Sequence, residues 1–266
     1  MLRTLRQHWP EYLFEAVGLG VFMVSACLLT ALLEHPSSAV HASLRDASLR
    51  RALLGLGMGL TAAGIVYSPW GQRSGAHINP AVTLAFLRLR KIKACDAAFY
   101  VPAQFVGGTL GVLLSRAIIP HEIADPAVRY AVTVPGKHGA IGALITELVI
   151  SFLLMTVVLV VGSVEKWAGL AGVATGVLVA LYVFVAAPLS GFGMNPARTA
   201  GSAIVSGTWT AWWIYFFAPP AAMLCAAEAH ARIRGARAMA CAKIHHSSKQ
   251  ACIFCGFEPK PLDVKP

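Results

Sequence analysis

Six stretches of this 266-residue chain are apolar for long enough to cross a bilayer, and that restricts the folds open to it more than anything else in the sequence. They run from Glu11 to Leu33, Arg51 to Tyr67, Ala97 to Ile119, Ile141 to Gly162, Trp167 to Ala187 and Thr210 to Ala229. A spanning helix needs about 20 mostly apolar residues, because about 30 Å of hydrocarbon is crossed at about 1.5 Å per residue. Inside lipid the backbone must satisfy its own hydrogen bonds, which leaves helices or closed barrels. These runs are continuous rather than alternating, so an all-α membrane protein is expected. Charged residues make up only 13% of the chain, about half the roughly 25% of a globular protein. The mean hydropathy is +0.65. A disordered chain and a basic nucleic-acid-binding domain are both excluded. The six cysteines (Cys27, Cys95, Cys225, Cys241, Cys252, Cys255) are scattered or clustered in the tail, which is no disulfide framework. In the short second stretch, Gly55, Gly57, Gly59 and Gly64 suit close helix–helix approach.

Two further apolar runs are too short to cross. One begins at Asn79-Pro80 and reaches about Leu89; the other begins at Asn195-Pro196 and reaches about Ser206. Each reads as a re-entrant half-span. Arg3 and Arg6 ahead of an apolar run, with Val24-Ser25-Ala26-Cys27 inside it, resemble a processed leader. The run nevertheless continues through Leu33, carries Glu15 and precedes five more spans, so it is read as the first span. An even number of spans puts both termini on one side. That side collects Arg3, Arg6, Arg73, Arg88, Arg90, Lys91, Lys93, Lys166, Arg232, Arg234, Arg237, Lys243, Lys249, Lys260 and Lys265, fifteen of the 22 Lys and Arg. The other side has six (Arg45, Arg50, Arg51, Arg116, Arg129, Lys137), with Arg198 left within the membrane. Lys and Arg accumulate in cytoplasmic loops, so both termini are expected there.

The two halves rhyme. Glu15 and Glu147 each lie near the start of a span, and Asn79-Pro80-Ala81 and Asn195-Pro196-Ala197 follow the second and fifth spans. Gly75-Ala76-His77-Ile78 precedes the first triplet and Gly191-Phe192-Gly193-Met194 the second. Three spans per repeat is an odd number, so the halves insert with opposite topology, and such inverted repeats place the working site where broken helices meet at the midplane. The expected organisation is a cytoplasmic N-terminal segment over 1–10, a membrane-embedded domain over 11–230 and a basic, Cys/His-containing cytoplasmic tail over 231–266. The repeats fall at about 11–119 and 140–230.

Ser74-Gly-Ala-His-Ile-Asn-Pro-Ala-Val-Thr83 and Gly191-Phe-Gly-Met-Asn-Pro-Ala-Arg198 carry a resemblance to the major intrinsic protein family, the aquaporins and glycerol facilitators. It covers roughly residues 8 to 230 and leaves the tail outside. It implies six transmembrane helices plus two re-entrant half-helices, passive transport of water or small neutral solutes without a cofactor or enzymatic activity, and a homotetramer.

The triplets suit that work. Asn is a favoured helix N-cap and Pro a favoured first residue, so Asn-Pro-Ala starts a helix abruptly. Extended backbone before it leaves carbonyls of residues 75–77 and 191–193 free to face a pore. Two half-helix N-termini concentrate about half a positive charge each, which opposes cations while Asn79 and Asn195 amides donate to passing water. An arginine in the membrane is functional by default, and by resemblance Arg198 is the cation of the family's narrow filter near the extracellular end. Glu15 and Glu147 admit two readings, a proton relay or carboxylates accepting the loops' backbone N–H groups; their one-per-loop placement favours the second. His77 either lines the pore or holds the loop.

The family's other filter positions are counted from the asparagines. They fall on Phe192, on Val183, and on Gly59 or, because Tyr67-Ser-Pro-Trp70 is one residue long, Met58. The aromatic and the histidine usual in water-selective members are missing, and Phe192 resembles the glycerol type. Thr199, Ala203 and Tyr215-Phe216 resemble the water-channel branch instead, so the solute stays open between water and glycerol or a small polyol. A proton-coupled transporter and a non-conducting structural membrane protein are the other classes.

The tail reads Cys241-x3-His245-His246-x5-Cys252-x2-Cys255. Thiolates and imidazole at this spacing suit a structural zinc site, with Cys252 and Cys255 as one jaw and Cys241 and His245, one helical turn apart, as the other. Free thiols, or attraction of Arg232, Arg234 and Arg237 to anionic lipid, are the alternatives.

Overall fold

Asp46 accepts hydrogen bonds from the backbone N–H groups of Ser48 and Leu49 and starts the second long helix four residues before its apolar run. The computed structural model describes residues 1–235, 238–246 and 251–258, and among them there is no strand. Arg237, Lys249, Lys260 and Lys265 of the charge count lie outside the described residues. The helices in chain order are α1 (Leu2–Glu34), α2 (Ala39–Ser43), α3 (Ala47–Tyr67), α4 (Pro69–Ser74), α5 (Pro80–Arg88), α6 (Ala94–Ile118), α7 (Gly139–Gly162), α8 (Glu165–Ala168), α9 (Ala171–Ser190), α10 (Pro196–Ser206) and α11 (Trp212–Arg234).

Six of these are long. Five, α1, α3, α6, α7 and α9, are both long and apolar enough to cross a membrane. α11 has the length, 23 residues, but carries Pro219, Pro220 and Glu228, which lower its hydropathy; it packs along α7 all the same. The half-helices α5 and α10 have 9 and 11 residues. At about 1.5 Å per residue each covers about half the hydrocarbon thickness.

Several boundaries differ from the sequence expectation; besides the early start of α3, α9 runs on to Ser190 rather than Ala187 and α11 to Arg234 rather than Ala229. The first helix begins at Leu2 rather than Glu11, because nothing before Pro10 breaks it. The fifth span begins at Ala171 rather than Trp167, since Trp167 belongs to the separate turn α8. Tyr67 occupies that break: its hydroxyl donates to the Gly169 carbonyl at 2.8 Å and accepts from the Val173 N–H at 3.1 Å.

Packing follows the inverted repeat. α1 lies on α6 and α7 on α11, while α3 and α9 cross between the repeats. Each half-helix packs on the last span of the other repeat, α5 on α11 and α10 on α6. At the α3–α9 crossing a Cβ on Gly59 would stand 2.4 Å from the Gly176 carbonyl oxygen, so the backbones touch only because glycine is there. The outward faces are apolar: Leu56, Leu60, Leu110, Leu114 and Val177 are all more than half exposed. That inversion of the usual surface is what lipid as solvent requires.

Candidate functional site

The loops ahead of the half-helices share one backbone conformation. Gly75 has φ +96°, Ala76 +55° and Ile78 +40°; Gly191 has +76°, Phe192 +54° and Met194 +49°. The sequence suggested plain extended backbone, but left-handed residues alternate here, and for non-glycine residues that is strained. A buried glutamate over-determines each loop. Glu15 accepts from Ser74 Oγ at 2.8 Å, from the N–H groups of His77 (3.0 Å) and Ile78 (2.5 Å), and from Gln104 Nε2 (2.8 Å). Glu147 accepts from Ser190 Oγ at 2.6 Å and from the N–H groups of Gly193 (2.8 Å) and Met194 (2.6 Å). A tyrosine closes each loop from behind: Tyr100 Oη donates to the Ser74 carbonyl at 2.7 Å and Tyr215 Oη to the Ser190 carbonyl at 2.6 Å.

The two triplets meet through their side chains. Asn79 Oδ1 accepts from the Ala81 N–H (2.9 Å), and Asn195 Oδ1 from the N–H groups of Ala197 (3.0 Å) and Arg198 (3.2 Å), so both cap their half-helices. Their amides cross over. Asn79 Nδ2 donates to the Met194 carbonyl at 2.8 Å and Asn195 Nδ2 to the Ile78 carbonyl at 2.7 Å. A carboxamide has two N–H bonds, so one on each asparagine remains for a solute. Both asparagines line a narrow cavity of about 80 Å³, whose polar rim includes His77, Gly193 and Arg198 and whose opposite wall is Val66, Val158 and Val179.

Beyond Arg198, at the end away from the termini, the lumen opens into a cavity of about 360 Å³. Met58, Val183, Phe192 and Arg198 all line it. Of the two filter candidates on α3, Met58 thus faces the lumen, whereas Gly59 is spent on the contact with α9. Arg198 is 7% exposed, and among the described residues its Nε and Nη1 have no hydrogen-bond partner. Those donors, the free asparagine N–H groups, His77 and Thr175 are the polar side-chain groups in the otherwise apolar lining of the narrow cavity.

The remaining sequence marks serve the scaffold. The Thr199 hydroxyl pairs with Thr133 Oγ1 at 2.9 Å, and Ala203 is buried. Tyr215 is the loop latch, and Phe216 packs against Trp212 and Phe105. Sequence reasoning missed Ser74, Ser190, Tyr100 and Gln104; the matched Glu–Ser–Tyr set in the two halves is the signal that finds the first three.

His77 lines the cavity and is only 1% exposed, because the tail covers it. Its Nε2 lies 2.8 Å from the Ala242 carbonyl, which can only accept, so Nε2 carries the proton and Nδ1 faces the Thr83 hydroxyl at 3.1 Å. In the tail, Cys241, His246, Cys252 and Cys255 place their ligand atoms within 4.8 Å of one another. His246 stands where the sequence suggested His245. The i, i+4 argument needed a helix, and the segment from Cys241 to His246 has none; His245 instead packs edge-on against Tyr67, with ring centroids 4.9 Å apart. Hydrogen bonding from Cys241 pulls the Cys252 thiol below the usual thiol range, against its burial, with help from the N–H groups of Cys255 and Phe254 and from nearby Lys243.

The sequence model of the major intrinsic protein family matches residues 2–229. Relatives include a protein named probable aquaporin NIP4-2 from Arabidopsis thaliana, 40% identical over 162 residues, which are 60% of this chain and 55% of that protein. The first relatives are thus spanned over about half their length. Aquaporin NIP2-1 from Zea mays is 34% identical over 235 residues, 87% of this chain and 75% of that protein. In fold the chain is similar to the X-ray structure of the aquaglyceroporin from Plasmodium falciparum, with a TM-score of 0.72, 21% identity, and 85% of this chain and 96% of that one covered. Inverted triplets, matched glutamates and this agreement along most of the sequence lead to one conclusion: the chain belongs to the major intrinsic protein family.

Proposed function

We propose that the protein is a passive membrane channel, and not an enzyme, for water and small neutral solutes. The observation that carries this is the narrow cavity shared by Asn79, Asn195 and Arg198 at the junction of two half-helix N-termini. Positive helix ends and a buried guanidinium oppose cations there, while neutral molecules exchange hydrogen bonds with single free donors. Both glutamates are fully engaged with fixed loop donors, which favours a scaffold over a proton relay. Met58 and Val183 opposite Phe192 and Arg198 give the wider cavity a sulfur and an aliphatic wall, which favours small polyols such as glycerol alongside water. Residues 11–230 form the channel and 231–266 a cytoplasmic tail. Fifteen Lys and Arg on the terminal side against six on the other support a cytoplasmic position for both termini. The family resemblance supports a homotetramer. Zinc belongs to the tail cluster and is not needed for transport.

Stopped-flow light scattering on proteoliposomes tests the reading, with shrinkage first in sucrose and then in glycerol. Fast shrinkage in both with fast re-swelling in glycerol supports a channel for water and polyols; shrinkage without re-swelling restricts it to water. No flux of either from folded wild-type protein and from Cys252→Ser/Cys255→Ser overturns the channel. A flux that follows an imposed proton gradient replaces it with a coupled transporter.

A further inference from the structure

Transport asks for nothing beyond α11, yet the tail is laid across the terminal end of the lumen. The Ile244 side chain helps line the narrow cavity that holds both asparagines. The Ile244 N–H donates to the Gly75 carbonyl at 3.1 Å, and the Ala242 carbonyl accepts from His77 Nε2 at 2.8 Å. Phe254 stacks on the other side of the same histidine, ring centroids 5.9 Å apart and 14° from parallel. Ala242 and Ile244 therefore take hydrogen-bonding positions of the first loop that face the passage in the absence of the tail. Both thus stand at the mouth of the narrow cavity on the side of the termini.

Among the described residues, 238–246 and 251–258 contain no helix or strand, so side-chain or metal contacts must hold them. The ligand cluster is placed to do so. Ala242 and Ile244 lie between Cys241 and His246, so one ion on both residues fixes the two ends of the blocking loop. Cys252 and Cys255 tie in the returning segment that brings Phe254 onto His77. Zn–S and Zn–N bonds of about 2.3 Å and 2.1 Å make tetrahedron edges of about 3.6–3.8 Å. The observed separations, 3.3 Å for Cys241–Cys252, 3.2 Å for His246–Cys255 and none above 4.8 Å, bracket that size. Charge closes as well: three thiolates, one divalent ion and the 2%-exposed Lys243 beside them sum to zero. His246 and Cys255 are exposed, so the ion has a way in and out.

We propose that Cys241, His246, Cys252 and Cys255 bind one Zn²⁺ and that this ion locks Ala242 and Ile244 into the cytoplasmic mouth as a removable plug, which makes the channel zinc-closed. The inference rests on the channel reading above. An ion at about a hundred times its dissociation constant that binds only the plugged form shifts the closed-to-open ratio about a hundredfold.

Full-length protein is purified, its zinc measured by mass spectrometry, and its water flux followed in proteoliposomes prepared with zinc or after chelation. The expected result is one zinc per chain, retained in His245→Ala and lost in His246→Ala and Cys252→Ser/Cys255→Ser. Flux rises about tenfold or more on chelation and in the variants that lose zinc. Ile244→Gly keeps the zinc yet conducts, which separates the plug from any misfolding of the cysteine variant. Zinc bound with equal flux in every state overturns the plug and leaves the channel standing. Protein that takes up no zinc, or whose mass shows a Cys241–Cys252 disulfide, overturns the metal. Folded protein that binds zinc but conducts in no state, Ile244→Gly included, overturns the channel reading and the plug with it.

Discussion

Truncating Glu147 separates scaffold from relay. Its carboxylate receives the N–H groups of Gly193 and Met194 and the Ser190 hydroxyl, all buried. In Glu147→Ala the serine has a second acceptor in reach, the Ala186 carbonyl at 3.4 Å, but the two backbone donors have none shown. Two buried donors left unmade cost about 1–3 kcal/mol each, so about 2–6 kcal/mol in all. For a domain of this size about 1 kcal/mol moves the unfolding midpoint about 2–4 °C, which sets an expected fall of at least about 4 °C. Glu147→Gln keeps one acceptor oxygen and turns an NH₂ toward the other donor, so it falls between wild type and alanine. Thermal unfolding in detergent, followed by intrinsic fluorescence, gives the order; water flux in zinc-free liposomes falls in the same order as the Phe192–Arg198 loop loosens. Equal midpoints and flux in all three proteins refute the scaffold argument. A glutamine variant that is stable but has lost a proton-driven flux puts the relay in its place.

Three further outcomes are expected. Gly59→Leu places a side chain where the Gly176 carbonyl already stands 2.4 Å from a Cβ, so α3 and α9 must part; the unfolding midpoint drops and detergent-solubilised protein loses yield. Arg198→Val removes the cation from the filter and admits a cation current, read by voltage clamp in planar bilayers, where zinc-free wild type shows none. Met58→Phe with Val183→His narrows the wider cavity at two of its walls, so the glycerol re-swelling rate falls more than the sucrose shrinkage rate; equal falls count against Met58 as a filter residue.

What the sequence made legible was local or periodic. Asn79-Pro80 and Asn195-Pro196 announce their helices because an N-cap acceptor and a proline at the first position act within one turn, and both half-helices begin there. The long apolar runs each give one long helix, though α1 begins well before its run at Leu2, since length and hydropathy are properties of the run itself while the polar turns that extend it are not. Met58 over Gly59 was not legible: neighbours on α3 point about 100° apart, and only the crossing with α9 says which faces the lumen. Tyr215 looked like a selectivity mark and is a latch, because its hydroxyl's partner, the Ser190 carbonyl, lies in the opposite arm of the repeat. His246 and the covering of His77 depend on where the tail lands, a tertiary matter no spacing rule reaches.

The crossed asparagine amides bear on how such a chain is made. Asn79 reaches the membrane early in synthesis, but the carbonyl its amide meets belongs to Met194, more than a hundred residues later. Until then the first half-helix has a cap and no counterpart, and its strained loop leans on Glu15 and Tyr100 of its own repeat. The midplane is joined only when the second repeat has entered from the opposite direction, at which moment both amides are satisfied together. The crossed pair therefore ties the two repeats to each other, and replacing either asparagine removes one of the two amide hydrogen bonds that join them.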